Sequence, residues 1–218
     1  FGAYDYNGIL RIDTVFTSLL VQGNIITAGN AEGSKIYSLN FKELFSCKGE
    51  IQSFRNEINY IINENGKYHI YDILNNSVSE SKYCLMKKIN GLQNLYKVTT
   101  CDYASGIKMG IIDNGNNLVL DTLYNNISYV IGNTNLIGIS TNLGEGILSK
   151  DMIELVPPIY DRLKYYSDSC IVASKNEKTG VIDINGKLIL NFEYSSVSNI
   201  IAGYYIASKN GKYGLIDK

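Results

Sequence analysis

The sequence has no tryptophan, one histidine (His69) and two prolines. A single histidine excludes a bis-histidine metal site and most multi-histidine chemistry. No two of the four cysteines, Cys47, Cys84, Cys101 and Cys170, stand near CxxC spacing. Zinc-ribbon and thioredoxin-like chemistry therefore find no support. Two disulfides are arithmetically possible, but a chain this long does not need them, so free thiols are the expectation. There is no excess of basic charge: 20 Lys+Arg face 21 Asp+Glu. Neither nucleic acid nor an anionic membrane surface is an expected partner. The longest uncharged run, Thr14 to Ala31, is broken by Gln22, Gly23, Asn24 and Asn30 and reads as no membrane span. The glycine-rich stretches "NGNN" and "NLGEG" precede no helical pattern, which removes phosphate binding at a helix terminus. No cofactor and no metal is expected.

What is present reads as globular. The 218 residues are 45% hydrophobic and 19% charged, enough to bury a core within one domain spanning 1–218. The 18 tyrosines and abundant asparagines have two sources. They suit a surface that holds polar rings, and they also follow from an AT-rich coding bias, which is the stronger reading. The first residue is Phe1 rather than Met, so the natural start is expected upstream.

The organising feature is repetition. "IVASKNEKTGVIDINGKLILNFEY" and "YIASKNGKYGLIDK" share one phrase: an apolar strand, a Lys-Asn turn, then Gly-apolar-Ile-Asp. The same phrase recurs upstream in four more worn copies. The place of Gly214 is taken by Gly180, Gly146, Gly110, His69 and Lys35, at spacings of 34 to 41 residues. Alternating apolar residues, β-branched and aromatic enrichment, and Asn-Gly pairs at 114–115, 185–186 and 210–211 make each copy a meander of four antiparallel strands. Four strands in about 36 residues form a compact propeller blade. At the N-terminus, "YNGILRID" aligns with the turn and fourth strand of "INGKLILNFEY", with Gly8 on Gly186. The expectation is an all-β, six-bladed β-propeller. Its last blade is shared between residues 1–14 and 195–218, so that the N-terminal strand closes the C-terminal blade and removes the open sheet edges.

The phrase Lys212-Tyr213-Gly214-Leu215-Ile216-Asp217, followed in other copies by turn, strand and tyrosine, resembles the WG-repeat family of bacterial proteins. The downstream motif of that family stands once, as Pro157-Pro158-Ile159-Tyr160-Asp161. The family's tryptophan place is held by Tyr213, Thr179, Glu145, Met109, Tyr68 and Ser34. The resemblance implies a repeated β architecture and transfers no catalytic motif.

Asp72, Asp113, Asp183 and Asp217 occupy one equivalent place, with Ser38 and Ser149 in two other copies. As a metal ring or acid–base set they would have to converge. As turn formers they need only accept hydrogen bonds from the backbone that follows, which is the favoured reading. His69 reads as a substitution on a blade rather than a base. The turn between second and third strands lengthens in the third copy to Thr99–Lys108, placing Asp102 and Tyr103 at a loop tip as a candidate ligand-binding pair. The strands "TSLLVQ" and "SSVSNI" would offer small polar groups to a shallow polar pocket. The resulting expectation is a monomeric, non-enzymatic binding or scaffold domain for a protein, glycan or other polymer. The alternatives are a hydrolase or lyase with acids at the channel mouth, and a purely structural module. An extracellular or cell-surface location is favoured over a cytoplasmic one.

Overall fold

The computed structural model describes residues 1–52, 59–80, 82–89, 92, 94–102, 104, 106–130, 133–167, 170–201 and 204–217. All regular structure among them is β-strand, in antiparallel ladders. Among the described residues no helix is long and apolar enough to cross a membrane. β1 (Ala3–Tyr4) and β2 (Leu10–Ile12) form a two-stranded sheet. β3 (Ser18–Gln22), β4 (Ile25–Asn30), β5 (Gly33–Ser38) and β6 (Glu43–Cys47) form a four-stranded meander.

β7 (Glu50–Gln52), β8 (Asn59–Glu64), β9 (Lys67–Asp72) and β10 (Ser77–Val78) make a second meander. β11 (Tyr83–Lys88), β12 (Leu95–Thr100), β13 (Met109–Asp113) and β14 (Leu118–Tyr124) make a third. These two join into one eight-stranded sheet where Tyr68 of β9 meets Tyr83 of β11. β15 (Asn126–Val130), β16 (Asn133–Thr141), β17 (Gly144–Ser149) and β18 (Glu154–Tyr160) form the next, followed by β19 (Arg162–Ser167), β20 (Cys170–Lys175), β21 (Lys178–Ile182) and β22 (Leu188–Tyr194). β23 (Ser196–Ile201), β24 (Tyr204–Lys209) and β25 (Lys212–Asp217) complete the described strands as a three-stranded sheet.

The chain divides into two compact units, residues 1–107 with 111–119, and residues 108–110 with 120–218. Inside each, consecutive sheets pack face to face. In the first unit, Ile36 of β5 joins Tyr60, Ile62 and Tyr71 of the next sheet, while its neighbour Tyr37 turns to the preceding hairpin and packs with Ile12 and Phe16. In the second, Ile171, Ala173 and Ile182 face the sheet before them, and Cys170, Val172 and Val181 face the one after. Middle strands are thus covered on both sides. That is why second and third strands are nearly continuous apolar runs, whereas fourth strands such as β14 and β22 alternate exposed and half-buried.

One expectation is extended and one corrected. In the described ladders the N-terminal fourth strand, β2, pairs with β1, Ala3 against Ile12 and Tyr4 against Leu10. The reason is a copy of the repeat upstream of the six read from the sequence. A Cβ on Gly2 would lie 2.7 Å from the Ile12 carbonyl oxygen and 2.8 Å from Thr14 Cγ2; on Gly110 it would lie 2.7 Å from the Leu120 oxygen and 2.8 Å from Thr122 Cγ2. Residues 1–14 therefore carry a third strand of their own, and a third strand is also present as β25. The correction concerns the cysteines: Cys84 and Cys101 form a disulfide, with Cα atoms 5.1 Å apart, and Cys47 and Cys170 stay as thiols.

Candidate functional site

The repeat glycine has a geometric cause. Opposite it the fourth strand bulges: Thr179 pairs with Tyr194 and Val181 with Leu190, so Gly180 faces the extra residues. A Cβ on Gly180 would stand 2.6 Å from the Leu190 carbonyl oxygen, and one on Gly146 would stand 2.7 Å from that of Val156. Where the glycine is lost the ladder changes. Beside His69, β10 pairs for two residues only, and the ring Nδ1 sits 2.9 Å from the Ser79 oxygen. Beside Lys35 the ladder runs in register, Lys35 against Ser46, and only the shift at Ile36/Tyr37, equivalent to that at Val181/Ile182, is kept. His69 is thus held by a main-chain partner on its blade, as its place in the repeat implies.

The aligned carboxylates are turn formers. Asp183 Oδ1 accepts the Asn185 and Lys187 amides, both at 2.9 Å. Asp113 Oδ1 accepts the Asn117 amide at 2.8 Å, and Asp72 Oδ1 accepts those of Leu74 and Asn75. Ser38 and Ser149 do the same through their hydroxyls, accepting the Lys42 and Ile153 amides, each at 3.2 Å. Asp5, which the sequence reading passed over, accepts the Asn7 and Ile9 amides in the N-terminal copy. Extending the repeat one period upstream, to Phe1-Gly2 and Asp5, is the signal that finds it. Among the described residues no three His, Cys, Asp or Glu side chains gather as a metal ion requires.

Of the predicted loop pair, Asp102 is exposed, and its Oδ1 accepts the Ala104 amide at 3.0 Å, so the carboxylate shapes its own turn. Tyr103 lies outside the described residues. The root of the loop is pinned by the Cys84–Cys101 disulfide, Cys84 being the bulged residue where β11 shifts register against β12.

A different place in the first unit is concave. An open cleft of about 320 Å³ lies among Thr17, Ser18, Asn30 and Ser34 on one side and Lys48 to Glu50 on the other. Thr17 is anchored by its amide and hydroxyl to the Gly29 carbonyl, at 2.8 and 3.1 Å. Asn30 accepts the Glu32 and Gly33 amides at 2.9 and 3.2 Å and donates to the Val15 carbonyl at 3.3 Å, which fixes the rim. The Lys48 amide donates to Glu64 Oε1 at 3.0 Å. Thr17 and Ser18 belong to the strand "TSLLVQ" from which a polar pocket was expected. Ser34, one of the lining residues, holds the place of the repeat's tryptophan. Other occupants of that place are committed: Glu145 Oε2 accepts the Leu163 amide at 2.7 Å, and Tyr68 packs into the core of the first unit.

The profile of the WG-containing repeat matches residues 180–213. No curated protein is significantly similar to the chain. Among solved structures, the chain is similar to a eukaryotic initiation factor at 12% identity and TM-score 0.46, over 95% of this chain and 67% of that one. It is similar to the dihydro-heme d1 dehydrogenase NirN at 12% identity and TM-score 0.37, over 93% of this chain and 54% of that one. It is also similar to Kluyveromyces lactis Hsv2p, with 12% identity and TM-score 0.37, covering 89% and 71%. Likeness at this level carries no inference about activity. What the match shows is one WG-containing repeat, at residues 180–213.

Proposed function

We propose that the chain is a non-enzymatic binding module whose cleft at Ser18, Ser34 and Lys48–Glu50 receives a short polar segment of a protein partner. The observation that carries this reading is the cleft itself, with Ser34, in the tryptophan place, on a lining of hydroxyls, glycine backbone and one charge of each sign. Such a surface supplies hydrogen bonds to an extended polar chain. Among the described residues no aromatic side chain lines it, so none of them offers a sugar ring a platform to stack on. A glycoside hydrolase would need two carboxylates flanking one bond; among the described residues Glu50 is the only carboxylate on the cleft lining, and Asp113 and Asp183 are engaged in their turns.

The test is Ser34→Trp, which restores the family's residue and fills the cleft. A photo-crosslinking amino acid at Lys48, in the organism that makes the protein, is expected to capture one partner, and Ser34→Trp is expected to abolish the adduct with secondary structure unchanged. Capture that survives Ser34→Trp would move the site elsewhere, with the loop of Asp102 and Tyr103 next in line. Turnover of any polymer that Glu50→Gln eliminates would revive the hydrolase.

A further inference from the structure

One position of the repeat sets the first sheet apart from the others, and it lies in the cleft. Gly29 of β4 pairs with Ser34 of β5. The equivalent pairs are Asn63 with Tyr68, Ser140 with Glu145, Ser174 with Thr179 and Ser208 with Tyr213. In those copies the second strand contributes a hydroxyl or carboxamide, and three of these groups are bonded close by. Asn63 Nδ2 donates to the Tyr68 hydroxyl at 3.3 Å, Ser174 Oγ lies 3.4 Å from Thr179 Oγ1, and Ser208 Oγ accepts the Ser195 hydroxyl at 3.1 Å. The first copy keeps such partners and lacks the group. Thr17 stands where Ser195 does, each amide donating to its second-strand carbonyl at 2.8 Å. Ser34 stands where Tyr68 and Thr179 do, and the second strand between them offers a glycine. A Cβ on Gly29 would lie 3.1 Å from Ser18 Oγ and 3.2 Å from Ser34 Oγ, so two hydroxyls converge on the place a side chain occupies elsewhere.

We infer that the seat over Gly29 selects a neutral hydroxyl or carboxamide side chain of the partner segment: a serine, threonine, asparagine or glutamine. That side chain supplies from outside the group that Asn63, Ser174 and Ser208 supply from within. The inference rests on the cleft as the binding site and names what the cleft recognises. The two hydroxyls decide the chemistry. Ser18 Oγ donates its one proton to the Gly29 carbonyl at 3.3 Å, so it presents lone pairs to a ligand, whereas Ser34 Oγ can donate or accept. A carboxylate has no proton for Ser18. An ammonium brings net charge to a lining on which Lys48 and Glu50 balance each other. A carboxamide or hydroxyl donates to Ser18 and accepts from Ser34 at once. Glycine at 29 is therefore the residue that sets specificity, by leaving the seat open to a side chain from another polypeptide.

The experiment titrates the whole isotope-labelled chain with N-acetylasparagine amide, and in parallel with the aspartate, lysine and alanine analogues, reading backbone amide shifts by NMR. Saturable shifts at Gly29, Gly33 and Ser34 are expected with the asparagine compound, with binding of the other three weaker by at least about tenfold. Gly29→Ser restores the internal group and is expected to weaken that binding at least about tenfold. Gly29 has no positive φ and its Cβ would meet only serine hydroxyls closely, so the variant keeps its melting temperature. Absence of shifts at these residues overturns the inference. So does equal or tighter binding of any other analogue, or binding that Gly29→Ser leaves unchanged. The photo-crosslinker at Lys48 separates this failure from that of the cleft. An adduct that Ser34→Trp abolishes and Gly29→Ser spares overturns the seat over Gly29 alone. No adduct in the parent chain overturns the cleft reading and this inference with it.

Discussion

At the scale of the residue, the repeat glycine is a question of space rather than of backbone angle. None of Gly110, Gly146 and Gly180 has a positive φ, and each lies under a fourth-strand backbone atom. Gly180→Ala should therefore force the β22 bulge outward and cost about 1–3 kcal/mol, while Gly214→Ala is neutral or slightly stabilising. Denaturant midpoints of the two variants, measured side by side, decide it. Equal losses would mean that the bulge carbonyl does not set the glycine. Conformation does matter at the hairpin tips, where Asn65-Gly66 and Asn210-Gly211 both sit at positive φ, as a two-residue turn demands. In the turn after Asp113 the residue at positive φ is Asn116, not Gly115.

At the scale of the element, the Cys84–Cys101 disulfide ties β11 to the end of β12 across 17 residues of sequence. By chain entropy a loop of that size is worth about 3 kcal/mol. The double variant Cys84→Ser/Cys101→Ser is expected to lose about that much stability, with faster amide exchange in Tyr83–Lys88 and Leu95–Thr100. A variant indistinguishable from the parent in reducing and oxidising buffer would show that the bridge does not form. The hairpin also sets two lysines of like charge, Lys87 and Lys97, directly opposite each other. Burial first, and then Lys87, push the Lys97 ammonium below its ordinary range. Lys87→Glu replaces that repulsion by an attraction and is expected to stabilise the sheet by about 0.2–1 kcal/mol, read as a higher denaturant midpoint.

At the scale of the whole molecule, the turns make stability depend on acid. The Ile9 amide foremost, with Arg11 and the Asn7 amide, holds the Asp5 carboxyl below its ordinary value. Burial pushes Asp72 up, but the side chain and amide of Asn75 and the amide of Leu74 more than offset it. The Lys209 ammonium, 2.6 Å away, keeps Glu193 low. A carboxyl whose folded pKa is depressed lends stability that is complete above its unfolded pKa, about 4, and is lost as pH falls through the folded value. The melting temperature should therefore be level above about pH 5 and fall steeply below about pH 4, and Asp72→Asn should flatten that acid limb. A limb unchanged in the variant would place the proton-sensitive groups elsewhere.

The strand order, the four-strand period, the hairpin turns and the role of the aspartates were legible in the sequence, because each depends on neighbours within one repeat. Gly180-Val181-Ile182-Asp183 specifies a doubly covered strand and its turn wherever it stands. The tertiary structure decided what depends on residues far apart in the chain. Gly2 is seen to be a repeat glycine only once the Ile12 carbonyl is found against it. Cys84 and Cys101 pair because a β-bulge turns one toward the other, which no spacing rule contains. The cleft brings Thr17, Ser18 and Ser34 together with Lys48–Glu50, residues of separate strands that no local pattern joins. Local pattern encodes the strand. Which edge and which face stay uncovered is settled only when the sheets pack.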